Sequence, residues 1–137
     1  MNNNSIYKGE QMSPSSLARL NNEIIPGVTR LLTQLRVFIN EFNNLVIREH
    51  INVITDSEGN ISIDVDANMS EERTQQLANR VDVLHSLIHN HQHNIEDLLE
   101  RGLSEEQSVL QNNPNYVRRI PSLQTSFNTI IRTYVHR

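Results

Sequence analysis

A chain of 137 residues with net charge −4, no cysteine, no tryptophan and 4% aromatic residues has the length of one domain. It excludes disulfides, thiolate metal sites and a cysteine nucleophile, and its acidic balance is a poor match for a run of phosphates. Its core must be aliphatic, and with no run of about 18 apolar residues no membrane span is expected.

Met1 to Gln11 is polar and Asn-rich and lacks the apolar stretch of a secretory signal, so the expected location is intracellular, or inside an assembling particle. Residues 1–13 show no periodicity and read as a flexible arm. Ser13-Pro14 is a helix start signal, with Ser13 as cap and Pro14 in the first helical position. The helix predicted over residues 14–50 carries Leu17, Leu20 and Ile24 on one face. Pro26 lacks an N–H and clashes with the preceding turn, which predicts a kink or break near Ile24–Ile25.

Beyond Gly27 the apolar residues alternate by three and four: Val28, Leu31, Leu35, Phe38, Phe42, Leu45. Leu32, Ile39 and Val46 each sit one place later. The doubled stripe is too broad for one neighbouring helix and predicts a three- or four-helix environment, within the chain or across subunits. Residues 51–65 then change period to two. Val53 and the series Ile61, Ile63, Val65 flank Asp56-Ser57-Glu58-Gly59-Asn60, a turn composition, and together they predict a β-hairpin. The turn has oxygen ligands but not the spacing of a calcium loop. A lone two-stranded hairpin is marginal in water, so its apolar face must pack on helices or on other subunits.

A second heptad pattern runs Leu77, Val81, Leu84, Ile88, His91, Ile95, Leu98. Asn68 with Glu71 reads as its capping box. Arg101 and Gly102 read as its last turn and C-cap, which predicts a helix over 69–101. Ser104 with Gln107 repeats the start signal for a short helix over 105–112, ended by Asn112-Asn113-Pro114. A C-terminal helix over 120–136 carries Ile120, Leu123, Phe127, Ile130, Ile131 and Tyr134. The expected fold is therefore mainly α: an antiparallel long-helix hairpin or bundle in one domain over 14–137, with a small β-hairpin insertion and shorter C-terminal helices.

Three groups of residues are candidates for chemistry or recognition. His85, His89 and His93 are spaced by four, so they share one helical stripe, and two histidines so placed can grip a metal ion. No Glu follows His85 and no third ligand lies nearby, so solvated or partner-facing imidazoles are the expected reading and no cofactor is predicted. His91 lies on the seam, where a polar residue fixes register or oligomeric state and can make assembly pH-sensitive. Arg118, Arg119 and Arg132, with Tyr116, form the candidate contact for nucleic acid, a disfavoured partner given the acidic remainder. No glycine elbow or phosphate-cradling loop is present, and Glu71–Glu72 and Glu105–Glu106 suit the dipoles of helix starts.

These features predict a non-enzymatic structural or assembly protein, a helical homo- or hetero-oligomerising subunit of a larger complex or of a viral or phage particle. Its predicted interface consists of the apolar stripe from Leu31 to Val46, the hairpin residues Ile61, Ile63 and Val65, and Leu84, Ile88, His91 and Ile95 of the second helix. The alternatives are a metal-binding or enzymatic site on the histidine stripe and a regulatory nucleic-acid module through the C-terminal arginines.

Overall fold

The computed structural model describes residues 15–136; the predicted arm and its Ser13-Pro14 start signal lie outside them. The first helix begins instead with Ser15 as cap, its hydroxyl accepting from the Ala18 N–H at 3.1 Å. Helix α1 (Ser16–Arg19), a π-helical turn (Leu20–Ile24) and helix α2 (Ile25–Arg48) follow without interruption as one rod. The expected break at Pro26 does not occur; the helix instead widens into that π-turn just ahead of the proline, with the Ile25 N–H reaching back five residues to the Leu20 carbonyl. Widening the helix by one residue ahead of a proline relieves the clash that a regular α-turn would meet.

The rod ends in a left-handed cap occupied by a histidine. His50 has φ 54, and the N–H groups of His50 and Ile51 return to the carbonyls of Ile47 and Val46 at 3.4 and 3.0 Å. Both bonds belong to a Schellman ending, usually built on glycine. Ile51 is buried directly after it. Strands β1 (Asn52–Thr55) and β2 (Ile61–Asp64) form the predicted antiparallel hairpin, with Val53 opposite Ile63 and Thr55 opposite Ile61. The Asp56 carboxylate accepts from the N–H groups of Glu58 and Asn60, both at 2.9 Å, and Gly59 takes φ 86. The N–H bond from Asn60 and its neighbours hold the Asp56 carboxyl below the ordinary range. Turn chemistry therefore accounts for these oxygens. Val53, Ile61 and Ile63 pack against the helical core.

Helix α3 spans Glu71–Asn112, about 63 Å at ~1.5 Å per residue. Its cap is Ser70 rather than Asn68, with the hydroxyl accepting from the Arg73 N–H at 3.1 Å. The Asn68 N–H instead donates to Asp66 in the preceding turn. Ser70→Ala is expected to cost about 1 kcal/mol in urea denaturation, whereas Asn68→Ala should leave the midpoint nearly unchanged.

The predicted stop at Gly102 and restart at Ser104 are both overridden, since α3 runs through them. A Cβ on Gly102 would stand 2.5 Å from Ile120 Cδ1, 2.9 Å from Ile120 Cγ1 and 3.2 Å from Ile24 Cγ2. The glycine makes room for the side chains of Ile120 and Ile24 against α3 rather than ending a helix. Helix α4 spans Ile120–Arg132, with Pro121 in its first turn. It ends four residues before the predicted boundary at 136, because Thr133 and Tyr134 close a tighter turn on the carbonyls of Ile130 and Ile131.

The rod and α3 are antiparallel, and α4 returns alongside both. At one end Gly102, Ile24 and Ile120 meet; at the other, Phe42, Tyr134 and the hairpin meet. The doubled stripe on α2 is thus covered within the chain. Leu32, Leu35, Ile39, Phe42 and Leu45 are buried, and Leu31, Phe38 and Val46 are half-buried against the same core.

Two adjacent acidic residues of α3 tie the junction. Glu105 accepts from Ser16 at 2.8 Å and pairs with the Arg19 guanidinium, whose Nη2 lies 3.0 Å away. This pairing lowers the Glu105 carboxyl and raises Arg19. Glu106 is completely buried. Its carboxylate accepts from the Tyr116 hydroxyl at 2.7 Å, the Arg119 N–H at 2.6 Å and the Ile120 N–H at 3.3 Å. Arg119 occupies the cap position of α4 but makes no side-chain cap bond. A carboxylate from another helix fills that role, placed where orphan N–H groups and the dipole favour negative charge. Burial, then the Glu106 bond, pushes the Tyr116 phenol up to about 12.

Candidate functional site

The histidine stripe of α3 gains a fourth ring from the C-terminal turn. His85 and His89 stack with ring centroids 6.3 Å apart, and His89 and His93 meet edge to face at 4.5 Å. His136 approaches His85 at 5.8 Å, although 51 positions separate them in sequence. His85, His89, Gln92 and Ile88 of α3 line a shallow pocket of about 180 Å³ with Ile131 of α4 and Tyr134 and His136 of the turn.

Each ring of this group has an identifiable partner. His85 Nδ1 lies 3.1 Å from the Tyr134 hydroxyl, and His136 Nε2 lies 2.7 Å from Thr55 Oγ1 of β1. His136 also stacks on Phe42 at 6.2 Å, and His93 Nδ1 stands 3.6 Å from Glu96. Burial holds His85 below the ordinary imidazole value; His136 and His89 add to the depression, and Asp82 opposes it. Burial alone raises the Tyr134 phenol well above its ordinary value. The arrangement favours a neutral His85 imidazole, packed against aromatic and hydroxyl groups. Among the described residues no group of three or more His, Asp or Glu is arranged to hold a metal ion.

His91 faces the other way. Its ring meets Phe38 edge to face at 5.1 Å, with Nδ1 3.0 Å from the Leu87 carbonyl and Nε2 2.8 Å from Gln34 Oε1. A carbonyl can only accept, so Nδ1 carries a proton. The neutral ring then requires the Gln34 amide to present its NH2, and the protonated ring donates to the oxygen. In either state the partner of His91 is α2 of its own chain.

The three arginines proposed for nucleic acid do not converge. Arg118 donates to Gln107 and Arg119 to Asn21, at 2.9 and 3.0 Å, beside the start of α4. Arg132 lies in the last turn of that helix, about 18 Å away along its axis. A second, polar cleft between α2 and α3 is lined by Arg48, Arg73 and Arg80 with Glu41 and Asn44. There Arg80 pairs with Glu41, and Arg73 with Glu49 at 2.9 Å.

Of the predicted interface, Leu32, Leu35, Ile39, Phe42, Leu45, Leu84, Ile88 and Ile95 are interior to the chain, and Ile61, Ile63 and Val65 are half-buried against it. Side chains that remain exposed on the surface include Ile47 at 65%, Ile54 at 50% and Val135 at 56%. Sequence reasoning missed Glu106, His136 and Gly102 as a contact point. A signal existed for two of them. Continuing the 3-4 alternation past Leu98 puts Gly102 and Glu105 on the core seam, and the drift of a straight helix against a strict heptad brings Glu106 inward in place of Glu105.

No helix among the described residues is long and apolar enough to cross a membrane. Comparison of the chain with family models, curated proteins and solved structures returned no match in any of the three.

Proposed function

We propose that the chain is a non-enzymatic assembly module, a helical subunit that joins copies of itself or other proteins of a larger complex or particle through the hairpin end of the bundle. The observation that carries this reading is the exposure of Ile47, Ile54 and Val135, which come from α2, β1 and the C-terminal turn. The Asn43 amide of α2 brackets Val135, accepting from its N–H at 3.0 Å and donating to the Thr133 carbonyl at 2.7 Å. Ile47 lies one turn further along the same stripe of α2. Leu17, Val37, Val83, Leu103 and Val117 are exposed elsewhere on the chain, so what sets the hairpin end apart is that its exposed apolar side chains stand beside an open sheet edge. A two-stranded sheet also leaves main-chain donors and acceptors on its outer edges for an added strand. The contact surface is thus distinct from the helical seams, which close on themselves.

Light scattering on purified protein tests the proposal. The expected result is a mass above 15.8 kDa at micromolar concentration, falling to that of one chain when Ile54 and Val135 are both replaced by Asp. A single-chain mass at about 100 μM, unchanged by those substitutions, overturns self-assembly.

A further inference from the structure

We propose that the C-terminal turn, Thr133 to His136, is an acid-released clasp. It is closed on the bundle while the His85 imidazole, which faces His136, is neutral, and it opens when that ring takes up a proton.

The turn is held from three sides. From α2, Asn43 brackets it with two hydrogen bonds to Thr133 and Val135, and Phe42 meets Tyr134 edge to face at 4.9 Å. From α3, His85 meets the Tyr134 hydroxyl. From β1, Thr55 meets His136. Among the described anchors two are imidazoles, the side chains that change charge near neutral pH. They face each other at 5.8 Å, with His89 stacked behind His85 and His93 behind His89. Neutral rings tolerate this crowding through aromatic packing, whereas charged rings repel.

The surrounding groups do not offset that repulsion. On α3, Asp82 is the carboxylate that favours a charged His85, and Glu96 stands by His93 at the far end of the row. The groups facing the turn from α2 and β1 are Phe42, Asn43 and Thr55, all uncharged. Along the chain the turn is flanked by two fixed cations, Arg132 before it and Arg137 after it. Burial and the neighbouring histidines hold His85 below the ordinary imidazole value. The open turn therefore binds protons more readily than the closed one, so the closed form loses stability as pH falls below about 6.5. Opening uncovers Phe42, fully buried when the clasp is closed, beside the exposed residues of the hairpin end. The clasp is a property of the single chain and stands whether or not the chain assembles.

Hydrogen exchange of the full chain tests it. The probe is the Val135 amide, with rates corrected for the intrinsic effect of pH. Its protection is expected to fall severalfold, with about tenfold as the ceiling for one histidine, between pH 7.5 and 5.5, while the buried Ile95 amide of α3 keeps its protection. In H85Q/H136Q the fall should disappear. If that variant does not close at pH 7.5, NMR titration of the unaltered protein decides: the imidazole C2 proton of His85 must share a midpoint with the Val135 amide. Constant Val135 protection, an equal fall in a closed H85Q/H136Q, or separated midpoints would each overturn the clasp.

Discussion

Glu106→Ala is expected to destabilise the protein by about 3 kcal/mol, moving the urea midpoint down by roughly 1–2 M. Three donors converge on this carboxylate, and the substitution leaves them without an acceptor. The Ile120 N–H is the most costly of the three, because that residue is fully buried and water cannot reach it. The loss of an ordinary helix cap costs about 1 kcal/mol, so an effect above 2 kcal/mol distinguishes a buried multi-donor acceptor from a surface cap. One opposing effect is real. Removing a buried charge recovers some desolvation energy, which keeps the expected value below the sum of three lost bonds. Glu106→Gln retains one carbonyl oxygen but points an NH2 group toward donors, and it should fall between the two, near 2 kcal/mol. If both variants unfold at the same midpoint as the parent, the carboxylate does not anchor α4.

Gly102→Leu is expected to cost on the order of 3 kcal/mol or more, and Gly102→Ala about 1–2 kcal/mol. Alanine improves intrinsic helix propensity by about 1 kcal/mol at a mid-helix position. That gain is outweighed because its Cβ would stand 2.5 Å from the end of Ile120 and 3.2 Å from Ile24, both completely buried. Buried side chains lack room to swing aside, and overpacking of this kind costs about 1–3 kcal/mol. Leucine adds three more carbons to a junction with no space for the first. A thermal melt checks both variants. A Gly102→Ala protein with a raised melting temperature would mean that propensity, rather than the helix crossing, governs this position.

The parts of the fold that were readable from sequence are those fixed by neighbours in sequence. Asp56, Gly59 and Asn60 make a hairpin turn with their own backbone, and strands of alternating apolar residues on either side need no distant partner to be recognised. The breadth of the α2 stripe likewise reported how many helices would surround it, although not that all of them would come from the same chain. Gly102 misled because a glycine ending a helix and a glycine admitting a neighbour look identical in sequence. Only the arrival of Ile120, 18 positions later, separates them. The cap falls on Ser70, two residues past the Asn68 read from sequence, a margin that local chemistry does not resolve. The histidine site was half visible. The i, i+4 spacing placed three rings on one stripe, but His136 joined them only because α4 runs back along α3 and delivers the turn to His85.

The antiparallel pairing of the rod and α3, with α4 returning beside them, has a mechanical consequence. Ser16 is tied to Glu105 at one pole of the bundle and His136 to Thr55 at the other. The C-terminal turn lies at the level of Phe42 and Asn43, so the two ends of the described chain are separated by about 40 Å, the rise from Ser16 to Asn43 at ~1.5 Å per residue. A load applied between these ends runs parallel to the helices. It must slide whole rows of interlocked side chains past one another, with many contacts resisting together, rather than peel them apart one turn at a time.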